Sequence, residues 1–327
     1  MDTPVSGSRP GNPRSPTSLL RWRWPLAVVL LVAVGLVFAV LGTANDFPSQ
    51  ATVALDSSVD DAVAWMVAHW RGFFRAITGF LLQVLGPIED FLLWLPWWLF
   101  MALVGLLAWR VRGYKFALGA LAGLLFIGVV QMWDQAMRTL AVVGTATVMS
   151  VIVAIPVGIA MSKSDRLNGL MLPVLDTMQT MPSYVYLIPA IYFLGLGKVP
   201  AVVATMVYAV PPAMRLTNLG IRLVSPELKE AARAFGTTSW QMLIKVELPL
   251  ARPTIMAGIN QTTMMALAMV VIASIVGAQG LGADVLAGIF NLEFGNGLIA
   301  GVGIVIMAII IDRITQGFAQ EHDTNRH

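Results

Sequence analysis

Glu230-Ala-Ala-Arg-Ala-Phe-Gly236, followed eleven residues later by Glu247-Leu-Pro249, is the stretch whose residue types and spacing could do work. The work they suit is mechanical. Ser225 can cap a helix, with Pro226 at its first position, where a missing N–H is harmless. Glu227 and Glu230 fall in the first turns, favoured by the helix dipole. Gly236 stands where a left-handed residue would end that helix. Thr238 and Gln241 have capping-box spacing for a second helix, expected to stop before Pro249. The spacing predicts two short helices hinged at Gly236, with Ala231 and Ala232 small enough for a partner to approach closely. An ordinary amphipathic connector would share part of this pattern.

Other chemistry is excluded by what the chain lacks. It has no cysteine, so disulfides, iron–sulfur clusters and thiol catalysis are ruled out. His69, His322 and His327 are scattered and give no metal-ligand spacing. The only Gly-Lys pair, Gly197-Lys198, is followed by Val199, so there is no phosphate-binding loop. Nucleotide chemistry would have to come from a partner. A net charge of +3 and a pI near 9.4 do not mark a nucleic-acid binder. The basic residues sit at the ends of apolar runs, as the positive-inside rule expects.

The elements that must position this segment are strongly apolar. Of 327 residues, 57% are hydrophobic and 12% charged, about half the charged share of a soluble domain; mean hydropathy is +0.76. Apolar runs long enough to cross a hydrocarbon core of about 30 Å as helices recur along the chain. Residues 1–20, rich in Pro, Gly, Ser and Arg, read as a disordered cytoplasmic tail. Residues 21–43 read as an N-terminal transmembrane helix. Basic residues, an apolar run and Gly42-Thr-Ala44 also resemble a cleavable signal peptide, although the run exceeds the usual core of about 7–15 residues.

Residues 44–90 read as an external loop containing an interfacial amphipathic helix over 62–85, with Met66, Trp70, Phe73, Ile77, Phe80 or Leu81, and Val84 on one face. That face could instead dock an external partner. Residues 91–132 hold peripheral transmembrane helices. Trp94, Trp97 and Trp98 form an aromatic belt there, in preference to a cage for a quaternary ammonium group. Asp134 and Arg138 stand one helical turn apart and able to pair.

Residues 133–316 form the core, with Pro156 as a kink, an irregular span over 170–196 and a span broken at Pro211-Pro212. Asp176 would cost about 2.5–3.5 kcal/mol at a bilayer centre, which places it near the cytoplasmic end and facing protein. An external loop is expected over 277–295, a last span over 298–311 and a cytoplasmic tail over 317–327. All but four of the 21 Lys and Arg residues fall on one side, the exceptions being Arg71, Arg75, Arg138 and Lys198. Both termini and the coupling loop, 218–252, are therefore expected in the cytoplasm. The reading is an all-α polytopic membrane protein with about eight transmembrane helices.

Glu230-Ala-Ala, Gly236 and Val246-x-Leu248-Pro249 resemble in spacing the EAA signature of ABC-importer permeases, with Val246 where Ile is usual. Four further stretches are similar to glycine betaine/proline permeases of the ProW and OpuAB type: Asp176 to Pro189, Phe235 to Leu243, Ile259-Asn-Gln-Thr262 through Gly280-Leu-Gly282, and Gly301 through Asp312-Arg313. The similarity is continuous over about 131–315, looser over 62–130 and absent before that.

The resemblance implies a type I ABC importer permease with a MetI-like fold, bringing glycine betaine, proline betaine or choline into a bacterium for osmoprotection across its cytoplasmic membrane. It implies no cofactor on this chain, with ATP and Mg held by a separate ATPase. Glu230, Ala231, Ala232, Arg233, Gly236, Leu248 and Pro249 would seat in a groove of that cytoplasmic ATPase. One signature per chain implies a second permease copy, as a homodimer, and an external substrate-binding protein. Met178, Gln179, Tyr184, Asn260, Gln261, Met264 and Met265 offer neutral and polarizable groups for a zwitterion's path; the same residues could simply pack helices. The rival class is an ion-gradient-driven secondary transporter of small zwitterions, which would be expected to carry paired repeats and coupling-ion sites. Neither a Ser/His pair, paired Asp residues nor a metal constellation within the spans supports an intramembrane enzyme.

Overall fold

Apolar residues at helical spacing fold this chain into helices throughout the described part. The computed structural model describes residues 23–40 and 55–320, which fall in two units, 1–64 and 65–327. In the first, α1 (Arg23–Val40) is an apolar helix with side chains 27–37 exposed. The expected tails at 1–20 and 321–327 lie outside the described residues.

The division falls within α2 (Leu55–His69), and α3 (Arg71–Trp94) follows. Two helices thus stand where one interfacial helix was expected, and the loop expected over 86–90 is helical. Leu81, Leu85 and Glu89 continue one buried stripe through Pro87. Leu81 and Leu85 pack with Ala141, Val142, Ala146, Val199 and Val202, and this burial outweighs the hydrogen bond lost at the proline. The chain breaks instead at Pro96, so the next helix is α4 (Trp97–Arg112). Trp94, Trp97 and Trp98 stand exposed about this break. After Gly113, α5 (Tyr114–Val129) returns antiparallel to α4.

The centre of the second unit is α6 (Trp133–Lys163), α9 (Lys198–Arg222) and α12 (Leu248–Ala268), with α9 packed against both others. Small residues let these backbones approach. A Cβ on Gly158 of α6 would lie 2.7 Å from the carbonyl oxygen of Met214 on α9. The break expected at Pro211-Pro212 does not occur: both prolines are buried inside a continuous α9. Contacts on two sides hold that turn, and the Ala213 N–H lies 3.3 Å from the Thr262 hydroxyl of α12. Between α6 and α9 run α7 (Asp165–Thr180), a 3-10 turn (Ser183–Tyr186) and α8 (Leu187–Leu194), the irregular span the prolines predict.

From α9 the chain passes through α10 (Pro226–Ala234), α11 (Ser239–Met242) and a π turn (Leu243–Glu247) directly into α12. The expected stop before Pro249 is therefore absent. Pro249 falls in the first turn of α12, where its missing N–H costs least. After α13 (Val270–Ser274), the region expected as loop 277–295 contains α14 (Leu281–Phe290). Its Gly288 meets Gly297 of α15 (Phe294–Gln320), so the last helix begins before and ends after the expected span. Within the described residues, four helices are long and apolar enough to cross a membrane: α3, α6, α9 and α15 over Phe294–Gly317. Shorter apolar helices cover Ala27–Val37, Tyr114–Val129, Ser183–Leu194 and Leu281–Phe290.

Candidate functional site

The segment 218–252 leaves the core at the end of α9, where Arg222 is fixed from several sides. Its guanidinium donates to Asp165 Oδ1 (2.7 Å), Asn218 Oδ1 (2.9 Å) and the Met161 carbonyl (2.8 Å). Asn218 in turn donates to Asn168 Oδ1 at 2.8 Å. The ends of α6, α7 and α9 thus form one hydrogen-bonded base.

From this base α10 begins as its sequence dictates. The Ser225 hydroxyl accepts from the Leu228 N–H at 3.4 Å and donates to the Glu227 carboxylate. That donation, with a lesser contribution from Glu227's own N–H, holds the Glu227 carboxyl below the usual carboxylate range. Gly236 has φ +78, left-handed as predicted. Its N–H donates to the Arg233 carbonyl (2.8 Å) and the Thr237 N–H to the Ala232 carbonyl (3.2 Å), the paired bonds of a Schellman end. Both halves of the Thr238–Gln241 capping box form, at 3.3 and 3.0 Å.

The segment so built is mostly exposed. None of α10's residues is buried. Ala231 is exposed and Ala232 half-buried, while the Glu230 and Arg233 side chains are exposed and make no hydrogen bond or ion pair among the described residues. Beside them stand large apolar groups: Phe235 is 91% exposed and Trp240 70%. Leu248 instead packs inward on Ile221, Leu243, Ala251 and Ile255, and Pro249 is exposed.

Phe235 and Trp240 were not among the contact residues expected from the sequence, although an aromatic side chain in a short polar helix pair was the available signal. Glu247 was noticed only as the motif's end. It is buried, with Lys163 of α6 on one carboxylate oxygen and Lys229 of α10 3.8 Å from the other. Lys229 also donates to the Ile221 carbonyl of α9 at 3.2 Å.

A second buried carboxylate was missed entirely. Glu89 of α3 receives both Arg138 of α6 (2.6 Å) and Lys198 of α9 (2.7 Å). Arg138 also donates to Gln279 Oε1 at 2.8 Å. The expected Asp134–Arg138 pair therefore does not form: Glu89, shielded from solvent, is the stronger partner. Asp176 pairs with Arg215 at 2.8 Å, so it faces protein on that side, though its side chain stays 63% exposed.

The candidate path residues divide. Gln179, Tyr184 and Gln261 are exposed, while Met178, Met264 and Met265 are half-buried in apolar clusters. Asn260 is drawn to α15, donating to Asp312 Oδ1 at 2.8 Å. A cavity of about 220 Å³ between α4, α5, α6 and α15, lined by Phe100, Leu124, Trp133, Leu140, Ile311 and Thr315, is too apolar to attract a zwitterion.

The described residues form helices, four of them long and apolar enough to cross a membrane, with the exposed α10–α11 segment between α9 and α12. Residues 146–320 match the family described as binding-protein-dependent transport system inner membrane component, and the chain belongs to that family. It is a multi-pass inner-membrane permease subunit and not itself an enzyme. The glycine betaine/proline betaine transport system permease protein ProW of Escherichia coli K12 is 44% identical over 269 residues, 82% of this chain and 76% of that protein. The glycine betaine/carnitine transport permease protein GbuB of Listeria monocytogenes is 46% identical, covering 83% of this chain and 97% of that protein. The glycine betaine transport system permease protein OpuAB of Bacillus subtilis is 44% identical, over 81% and 94% respectively. Among solved structures, the MetNI methionine ABC transporter in inward-facing conformations shares the fold: TM-score 0.53 at 21% identity, over 58% of this chain and 94% of that one.

Proposed function

We propose that this chain is the permease subunit of an ATP-driven importer of glycine betaine and proline betaine-type solutes, serving osmoprotection. The observation that carries the proposal is α10 with α11: a capped, exposed platform whose Glu230 and Arg233 side chains have no partner among the described residues, beside exposed Phe235 and Trp240. A cytoplasmic ATPase docks there, covering Ala231, Gly236 and Pro249, while Ala232 and Leu248 brace the segment from within. The solute class rests on the ProW, GbuB and OpuAB similarities.

In this reading the shorter apolar helices complete about eight spans, and both termini and the platform face the cytoplasm. A second identical copy supplies the other half of the path, and a binding protein delivers solute from outside. Gln179, Tyr184 and Gln261 line the path as neutral groups, Met178, Met264 and Met265 give it a polarizable wall, and Asn260 helps hold α12 to α15. The ion-driven alternative needs an acid free to take a coupling ion. Asp176 and Glu89 are instead held by Arg215, Arg138 and Lys198, which leaves Asp284 of α14, half-buried and unpaired among the described residues, as the acid such a carrier would have to use.

The test is labelled glycine betaine uptake into vesicles containing the complex. Uptake should require ATP and survive an uncoupler. Uptake that survives ATP depletion and collapses with the ion gradient contradicts the reading.

A further inference from the structure

Besides the chain itself, which runs from α9 into α10 and through α11 and the π turn into α12, a docked ATPase can move the spans through the side-chain ties of α10, and those are few. No residue of α10 is fully buried, and Ala232 and Lys229 alone are half-buried, so apolar packing against the core is slight. Among the described residues, every hydrogen bond or ion pair from an α10 side chain to the spans comes from Lys229. One is to the Ile221 carbonyl at the end of α9; the other is to Glu247. The carboxylate of Glu247 is also taken by Lys163, the last residue of α6. Glu247 itself closes the π turn and leads into α12. A single buried carboxylate thus joins α6, α10 and the start of α12, next to the Ile221 end of α9.

We propose that Glu247 is the positioning residue that converts movement of α10 into movement of the spans, a role that rests on the ATPase-docking reading above. Its burial matters. An exposed ion pair would be screened and would yield under load, whereas a carboxylate at 3% exposure meets little water to replace its lysines, although those are themselves partly exposed. The π turn belongs to the same device: i→i+5 bonding is rare and concentrates at functional positions. Here it carries Leu243 into the Ile221–Ile255 cluster and Glu247 between its two lysines. Lys229 directly precedes Glu230, so a force on the platform's exposed acid reaches the clasp within one residue.

The experiment compares solute moved with ATP hydrolysed in the same proteoliposomes, using the complete complex and labelled glycine betaine. Glu247→Gln and Lys229→Met should leave ATPase copurification and hydrolysis in place, while solute per ATP falls by about five-fold or more, the lower end of an ordinary coupling free energy. Lys229→Arg, which keeps the charge, should restore the ratio. If Glu247→Gln does not accumulate in the membrane, Lys229→Met decides the matter, since Lys229 is partly exposed and its loss leaves the Glu247–Lys163 pair intact. An unchanged ratio in Lys229→Met, or uptake and hydrolysis falling in proportion, overturns the proposal. Loss of ATPase binding on Phe235→Ala with an unchanged ratio in Lys229→Met would retain the docking reading and sink only the clasp. Full ATPase binding on Phe235→Ala together with Trp240→Ala would sink the docking reading itself.

Discussion

Each end of α6 offers a cation to a buried glutamate, and the two clasps differ in what they fasten. At the Arg138 end, Glu89 holds Arg138 and Lys198, joining α3, α6 and α9. Each of those helices is also packed through Leu81, Leu85, Val142 and Val202, so the ions close a scaffold already held by apolar contact. At the Lys163 end, Glu247 holds Lys163 and Lys229, and Lys229 belongs to a helix with nothing buried. The same chemistry therefore stabilises in one place and transmits in the other. What a buried ion pair does depends on how else its members are attached.

The comparison can be broken most readily at Glu89. Glu89→Gln removes the counter-charge shared by the partly exposed Arg138 and Lys198, which should cost about 3 kcal/mol, the upper end for hydrogen bonds to a charged group. Purified protein should unfold at a clearly lower temperature, with solute per ATP unchanged in what remains folded. An unaltered midpoint would mean the scaffold does not need the clasp. Next in size, Phe235→Ala and Trp240→Ala should each weaken ATPase binding by roughly 2 kcal/mol, as interface aromatics commonly do. The unfolding midpoint should stay put, because both side chains are exposed in this chain.

Gly236→Val comes third. Nothing lies within 4 Å of the added Cβ, so the penalty is the left-handed backbone alone, about 1–2 kcal/mol. Uptake and ATPase stimulation should fall together in that variant while membrane insertion persists; normal uptake would dismiss the hinge. The smallest effect belongs to Ser225→Ala, about 1 kcal/mol of helix capping, read as faster hydrogen exchange over 226–234. It has a pH signature. The folded Glu227 carboxyl titrates below its unfolded value, so its contribution is complete above the unfolded value and disappears as pH falls through the folded one. Protection factors in α10, which divide out the slowing of intrinsic exchange by acid, should therefore fall on acidification in the native chain, and Ser225→Ala should blunt that response.

What the sequence disclosed about this site was local. The Ser225 cap, the Gly236 end and the Thr238–Gln241 box each close within a few residues, so spacing alone predicts them. Glu89 could not be read this way: its partners lie 49 and 109 residues away, and Gly86-Pro87 around it signals a loop. Two cations at the ends of neighbouring spans were the available hint. Pro211-Pro212 and Pro249 misled for the converse reason, since their local preference to break a helix yields to packing between α6 and α12 and to the π turn. Loop 277–295 failed likewise, because the start of α14 is held by the Leu281 N–H donating to the Thr139 hydroxyl, 142 residues away and outside any short window.

The central claim is that the exposed α10–α11 platform, and not the Glu89 end of α6, receives the ATPase. The chain contains no cysteine, so single cysteines can be placed at will. Phe235→Cys and Asp134→Cys, each carrying a short photoreactive cross-linker, should be compared in the assembled complex. The account predicts an adduct with the ATPase from position 235 and none from position 134. An adduct from 134, or none from 235 in a complex that still hydrolyses ATP and takes up solute, would contradict it.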